Sequence, residues 1–107
     1  MKYKEIWQDE AYANLLTIRE EIEKVSRSAE SANNILGAIC DRTDALTDFP
    51  YRDPIYSDRP ALRRMVVNND YCVYYRVIEE PYRVVRVFNV LRSSADALRH
   101  IGPIDRQ

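Results

Sequence analysis

Arginine and tyrosine supply most of the chemistry that the C-terminal half of this 107-residue sequence offers. Seven arginines lie within residues 59–92, together with four tyrosines and only three acidic residues. Arginine presents a planar, permanently charged fork that suits phosphates and carboxylates, and tyrosine can stack on nucleobases. This composition fits a surface for an acidic protein segment or for nucleic acid. It also fits solvated strand faces with local salt bridges.

The net charge of −1 conceals a division between the two halves of the sequence. Residues 1–50 contain six Lys/Arg and ten Asp/Glu, a balance of −4, whereas residues 51–107 contain ten Arg and seven Asp/Glu, a balance of +3. All three lysines belong to the first half, so every cation of the second half is an arginine. We expect the acidic residues to solvate helices and the arginines to form the working surface.

Several classes of chemistry are not indicated by the sequence. The one histidine, His100, stands near the C-terminus, and the two cysteines, Cys40 and Cys72, lack metal-ligand spacing, so we expect no metal and no cofactor. Two cysteines are also too few for a secreted disulfide scaffold. No apolar run approaches the ~20 residues that span a bilayer, and the charged opening segment is not typical of a secretory signal. A cytoplasmic protein without membrane contact is predicted.

The first half of the chain has the spacing of a short strand and two helices. Residues 3–7 alternate as a strand does, and Asp9 is the predicted N-cap of the first helix. Ser28 is the predicted N-cap of the second helix, which ends by residues 48–50. The short link between the helices predicts an antiparallel hairpin. The apolar stripe of the first helix consists of Ala11, Leu15, Ile18, Ile22 and Val25, and that of the second of Ala32, Ile35, Leu36, Ile39 and Leu46.

The second half changes to a period of two after an irregular, proline-rich loop over residues 50–60. Strands are predicted at residues 62–67, 71–78 and 82–91, which form an antiparallel meander, and a short helix at 93–100. The predicted fold is α+β, a single domain over residues 1–107 in the order β-α-α-β-β-β-α. The hairpin packs on one face of a twisted antiparallel sheet and leaves the other face partly open.

Side chains of the middle strand divide into two sets. Tyr71, Val73, Tyr75 and Val77 are predicted to be buried, and Cys72, Tyr74, Arg76 and Ile78 to be half-exposed. Arg63 and Arg64 are neighbours on the first meander strand and must therefore point to opposite faces. In the last strand each alternating set contains one arginine, so periodicity alone does not assign its faces.

Three segments, DFPYRDP, ALRRMVVNNDYCVYYRV and VVRVFNVLRSSAD, resemble the RelE/ParE superfamily of toxins from type II toxin–antitoxin modules, which are also called plasmid stabilization proteins. The likeness rests on Phe49–Pro50 after the second helix, the Leu62–Arg63 strand, the Asn68–Asp70 turn and the tyrosines from Tyr71 onward. The order of these motifs agrees with the predicted element order, so the likeness covers nearly the whole chain.

This resemblance implies a growth-inhibiting toxin that binds a cognate antitoxin through an acidic segment and forms a hetero-oligomer with it. ParE-like members inhibit DNA gyrase without catalysis, whereas RelE-like members are metal-independent endoribonucleases that cut mRNA on the ribosome. The longer hairpin and the LRRMVV strand favour the ParE-like branch. Cys72 stands where RelE-like members usually have an arginine, and two serines follow Arg92 where basic residues are common.

An attenuated toxin fold that serves only in interaction is the third alternative. For a RelE-like nuclease the catalytic candidates are Arg64, Arg76 and Arg92. The residues expected to bind the target or the antitoxin are Arg63, Arg64, Tyr74, Arg76, Arg86 and Arg92.

Overall fold

Two helices and four strands make up residues 2–93, the part of the chain that the structure, a computed structural model, describes. The predicted α+β architecture, with a short first strand, a helical hairpin and a three-strand meander, is confirmed. The predicted helix at 93–100 lies, apart from its first residue, outside the described residues. The elements are β1 (Lys4–Trp7), α1 (Asp9–Ser26), α2 (Ala29–Ala45), β2 (Arg63–Val67), β3 (Tyr71–Ile78) and β4 (Val84–Arg92).

The N-cap of α2 was predicted correctly, whereas that of α1 was not. The hydroxyl of Ser28 accepts the backbone N–H of Ser31 at 3.2 Å, which confirms Ser28 as the N-cap of α2. The N-cap of α1 is Gln8, so the prediction of Asp9 was wrong by one residue. Asp9 lies in the first turn instead, where its carboxylate is stabilised by the helix dipole.

The apolar stripe of α1 packs against the sheet along most of its length. Ala11 and Ile18 are buried, and Ile22 packs against the same core. Val25 was predicted to continue this stripe, but its side chain is 87% exposed. The last turn of α1 lies beside the end of β4, where Val25 and Arg92 line a shallow groove. Within residues 2–93 the strand ends at Arg92, so no further strand residue of this range covers the valine.

The four strands form one sheet in the order β1-β4-β3-β2. Both meander pairs are antiparallel, as predicted. β1 runs parallel to β4, with Lys4 opposite Val84 and Trp7 opposite Val87, so the sheet is mixed where the sequence analysis expects antiparallel pairing throughout. A four-residue strand carries no signal of direction, because the alternation of its side chains is the same either way.

The main core lies between the hairpin and the sheet. The face of β3 that was predicted to be buried contributes Tyr71, Val73 and Tyr75 to it. These side chains meet Ile39 of α2 and Leu46 just beyond it. The hairpin therefore fixes one face of the sheet by burial of apolar surface.

The opposite face, which we call the outer face, is covered in part by the loop between α2 and β2. A second apolar cluster forms there from Tyr56 and Leu62 of the loop together with Cys72, Tyr74 and Phe88 of the sheet. Cys72 and Tyr74 are each 1% exposed, so the prediction that they are half-exposed was wrong. The loop folds back over the strands because the Tyr56 N–H bonds the Leu62 carbonyl at 2.9 Å and Ile55 pairs with Arg63.

A β-bulge in β4 changes which side chains reach each face. Tyr74 lies opposite Asn89 and Tyr75 opposite Val87, so Phe88 is an extra residue with no partner in the register. Beyond the bulge the alternation shifts by one, and Val90 joins the main core while Leu91 packs against the outer cluster. This shift explains why a strict period of two could not assign the faces of β4.

Candidate binding surface

The predicted binding residues are five arginines and one tyrosine. The strand register places three of the arginines on the outer face, where their charges are exposed or half-exposed. Arg64 lies opposite Tyr74, and Arg76 lies opposite Arg86. Arg76 and Arg86 line one groove with Phe88, a member of the outer cluster. The sheet therefore presents Arg64, Arg76 and Arg86 on the side away from the helical hairpin, whereas Arg63 and Arg92 are elsewhere.

Arg64 is held above the outer cluster by an aromatic ring. Its guanidinium carbon is 4.9 Å from the centre of the Tyr56 ring, a cation–π contact. The Tyr56 ring in turn packs against Tyr74 with 5.1 Å between centroids and 59° between planes. Arg64 is exposed and the Tyr56 ring beneath it is buried. The guanidinium group of Arg64 is therefore available to a partner, while its contact with the ring restricts the side chain.

Tyr74 lies beneath the charged surface and supports it from within. Burial, followed by the neighbouring Cys72 thiol, raises the pKa of the Tyr74 phenol, so the group stays neutral. A neutral ring buried between Tyr56 and the sheet cannot stack on an incoming base. The structure therefore gives Tyr74 a supporting position, in contrast to its predicted place among the contact residues.

Arg76 and Arg86 line a groove of about 240 Å³ near the end of the meander. Ile78, Glu80 and Phe88 complete its lining. Both arginines are half-buried, and the Nε of Arg86 is buried with no hydrogen-bond partner among the described residues. The groove thus combines two cationic forks, one carboxylate and an apolar wall.

Arg63 and Arg92 make different contacts from the outer-face arginines. Arg63 donates from Nη1 to the backbone carbonyl of Asp53 at 2.6 Å and lies 4.9 Å from the centre of the Tyr51 ring. These contacts hold the loop against the sheet. Arg92 lies beside the last turn of α1, in a groove that includes Glu21 and Val25. The two faces of Arg63 and Arg64 agree with the sequence prediction.

A polar cluster around Glu79 was not predicted. The Glu79 carboxylate accepts hydrogen bonds from Tyr3, at 2.6 Å, and from Tyr51, and its other oxygen lies 3.8 Å from Nε of Arg83. The bonds from Tyr3 and Tyr51 lower the pKa of Glu79, and the bond to Glu79 raises the pKa of Tyr51 to about 12. The cluster joins the residue before β1, the loop and the β3–β4 turn, and sequence spacing gave no sign of it.

Residues 2–93 contain neither a cluster of metal-ligating side chains nor a helix that could span a membrane. No three or more His, Cys, Asp or Glu side chains come together there in a way that could hold a metal ion. Neither of the two helices in this range combines the length and the apolar character needed to cross a bilayer. The two cysteines are free thiols, with Cys72 buried and Cys40 half-buried.

Comparison with known proteins identifies the family. Residues 6–97 match the family model described as the ParE toxin of the type II toxin–antitoxin system parDE. The chain belongs to the ParE toxin family. It is thus a toxin of a type II toxin–antitoxin system within the RelE/ParE superfamily, which confirms the resemblance seen in the sequence motifs. Among curated protein sequences, none matches the chain.

Solved structures show the same fold as this ParE-family chain. A chain from the chromosomal ParDE TA system of P. aeruginosa superposes with a TM-score of 0.74 at 17% identity, covering 87% of this chain and 98% of that one. A chain from the RelBE2 toxin–antitoxin complex of Mycobacterium tuberculosis superposes with a TM-score of 0.62, also at 17% identity, covering 86% and 99%. Both likenesses concern the fold, which the two branches of the superfamily share.

Proposed function

We propose that this ParE-family toxin arrests growth by binding DNA gyrase, and that a cognate antitoxin silences it through an acidic segment. The observation that carries the proposal is the outer face, where Arg64, Arg76 and Arg86 stand over a packed aromatic layer. Arginine and aromatic side chains are the residues most enriched at the centres of protein interfaces. The match to the ParE family model supports gyrase as the target class.

The antitoxin is the partner that the charge distribution favours. The second half of the chain, which includes the meander, is positively charged, whereas the first half is negatively charged. An acidic segment of a second protein therefore finds complementary charge on the outer face. Both similar solved structures come from toxin–antitoxin systems. We therefore propose a toxin–antitoxin hetero-oligomer in the cytoplasm, in which carboxylates of the antitoxin pair with outer-face arginines.

A RelE-like endoribonuclease is the second candidate, and one observation favours it. Glu80 lines the same groove as Arg76 and Arg86, so a carboxylate that can accept a proton lies beside two cations that can stabilise charge on a phosphate. The predicted catalytic set of Arg64, Arg76 and Arg92 fits this function less well. Arg92 lies beside α1 on the other side of the sheet from that groove.

Induced expression of the full chain separates the two candidates. A gyrase poison arrests growth with an SOS response and intact transcripts, whereas a ribosome-dependent nuclease arrests growth with cleaved transcripts. Glu80→Gln sharpens the test, because it removes the one carboxylate that residues 2–93 contribute to the groove and should abolish transcript cleavage but leave a gyrase-directed arrest in place. Expression without growth arrest would refute both functions and favour an attenuated interaction domain.

A further inference from the structure

Two arginines face each other directly across β3 and β4, which is an unfavourable arrangement for a sheet. The register places Arg76 opposite Arg86, and like charges at directly opposed positions destabilise a strand pair. The β-bulge lies between Tyr74 and Tyr75, and the pairing with β4 is regular from Tyr75 to Ile78, so the opposition of the two arginines belongs to the regular part of the ladder. The register thus places two guanidinium groups at neighbouring positions of one groove on the outer face, which suggests a role in binding an anion.

The Nε–H of Arg86 strengthens this interpretation. The atom is buried, and no acceptor among the described residues reaches it. Buried polar groups in proteins are nearly always hydrogen-bonded, so an unpaired buried donor calls for a specific reason. The donor belongs to a side chain that lines the groove shared with Arg76.

We propose that Arg76 and Arg86 form a clamp that binds one carboxylate side chain of the antitoxin. A carboxylate offers two coplanar oxygens that match the parallel N–H donors of a guanidinium, and its negative charge offsets the repulsion between the two arginines. Ile78 and Phe88 provide an apolar wall for the methylene groups of an aspartate or glutamate. The clamp as an anion site stands on the geometry alone, whereas the antitoxin as its occupant rests on the proposed function.

The size and charge of the groove favour a single acidic side chain over a nucleic acid. Its volume of about 240 Å³ is below the ~300–1,000 Å³ that is typical of sites for small organic ligands. Glu80 lines the same groove, so a chain of consecutive phosphates would bring repeated negative charge against it.

The anion site is tested by titrating the full-length protein with propionate and following the Nε–Hε signals of its arginines by NMR. At constant ionic strength we expect a saturable shift of the Arg86 signal that chloride does not produce. Arg76→Gln should weaken propionate binding at least tenfold. Arg42→Gln is the matched control and should leave binding unchanged, because the Arg42 Nε is also buried without a hydrogen-bond partner among the described residues but belongs to α2.

Two results of this titration would overturn the clamp. One is an Arg86 signal that responds equally to propionate and chloride, and the other is inorganic phosphate that binds more tightly than propionate and is displaced by RNA. Circular dichroism and thermal unfolding of each variant show that it is folded. Should Arg76→Gln fail to fold, Arg76→Lys replaces it, since lysine keeps the charge but lacks the planar fork and leaves the Arg86 signal available.

The occupant is tested by the affinity of the purified antitoxin for the toxin variants. Arg86→Lys and Arg76→Gln should each weaken the complex at least tenfold, and Arg42→Gln should not. Unchanged affinity in both clamp variants would overturn the proposal even if the toxin arrests growth. Conversely, a chain that binds propionate and antitoxin through the clamp but fails to arrest growth would refute the proposed function and leave the clamp supported.

Discussion

Replacing Tyr75 by phenylalanine removes a single oxygen atom that joins the loop after α2 to the centre of the sheet. The Tyr75 hydroxyl lies 3.1 Å from the carbonyl oxygen of Pro50 and 3.1 Å from Oδ2 of Asp53. The residue has no exposed surface, and its ring packs in the main core. Phenylalanine keeps the ring and its packing, so the variant isolates the contribution of the hydroxyl.

The expected cost follows from the two acceptors. A lost hydrogen bond that leaves a buried polar group unpaired costs about 1–3 kcal/mol, and a bond to a charged group lies in the upper part of that range. One acceptor here is a buried carbonyl and the other a half-buried carboxylate, so we expect a loss of about 2 kcal/mol in the free energy of unfolding. For a small domain this corresponds to a fall in Tm of about 8–16 °C.

Thermal and urea unfolding followed by circular dichroism measure this loss. Tyr82→Phe is the matched control, because it removes the same atom from a side chain that is 77% exposed, and its stability should change by less than about 0.5 kcal/mol. If Tyr75→Phe is as stable as Tyr82→Phe, the hydroxyl does not hold the loop. The role of the Tyr75 hydroxyl in joining residues 50–53 of the loop to the sheet would then be refuted.

Three further predictions concern pH, helix stability and antitoxin binding. The folded-state pKa of Glu79 lies below its unfolded value, so this group stabilises the fold at neutral pH, and the contribution disappears as pH falls through the folded pKa. Glu79→Gln should therefore lower the free energy of unfolding at pH 7 but not in strong acid. An equal loss at both pH values would contradict this. Gly37 lies inside α2, where a Cβ would meet nothing within 4 Å, so Gly37→Ala should raise stability by about 0.5–1 kcal/mol in thermal unfolding, and a lower Tm would count against the helix placement. The double variant Arg64→Glu/Arg76→Glu should weaken the antitoxin complex by about 1.5–3 kcal/mol per hydrogen-bonded charge lost, or about 100- to 20,000-fold in all, and unchanged affinity would exclude these arginines from the interface.

The sequence predicted the elements whose signals are local. The helical stripe located α1 and α2, Ser28 was identified as a cap, and β3 was predicted with its observed bounds, Tyr71–Ile78. Each of these signals depends on residues a few positions apart. The motif order gave the family for the same reason, because the motifs lie in consecutive elements.

The features that escaped prediction depend on contacts between distant residues. Tyr56 and Leu62 belong to a loop with no period, so nothing indicated that they would bury Tyr74. The extra residue Phe88 leaves no mark on composition, yet it decides which face each later side chain of β4 occupies. Tyr3 reaches Glu79 across 76 positions of the chain.

In the candidate site, too, local signals were predicted and contacts between strands were not. Adjacent positions sufficed to predict that Arg63 and Arg64 face opposite ways, and the structure agrees. The opposition of Arg76 and Arg86 needed the register of two strands, which no single-strand pattern contains. The predicted trio of Arg64, Arg76 and Arg92 was divided between the two faces for the same reason.

The most direct test of the proposed function is the supercoiling activity of purified DNA gyrase in the presence of the purified full-length toxin. We predict that equimolar toxin inhibits supercoiling and that added antitoxin restores it. Gyrase that supercoils DNA at its normal rate, while the same toxin preparation cuts mRNA on ribosomes, would contradict the account and favour the endoribonuclease.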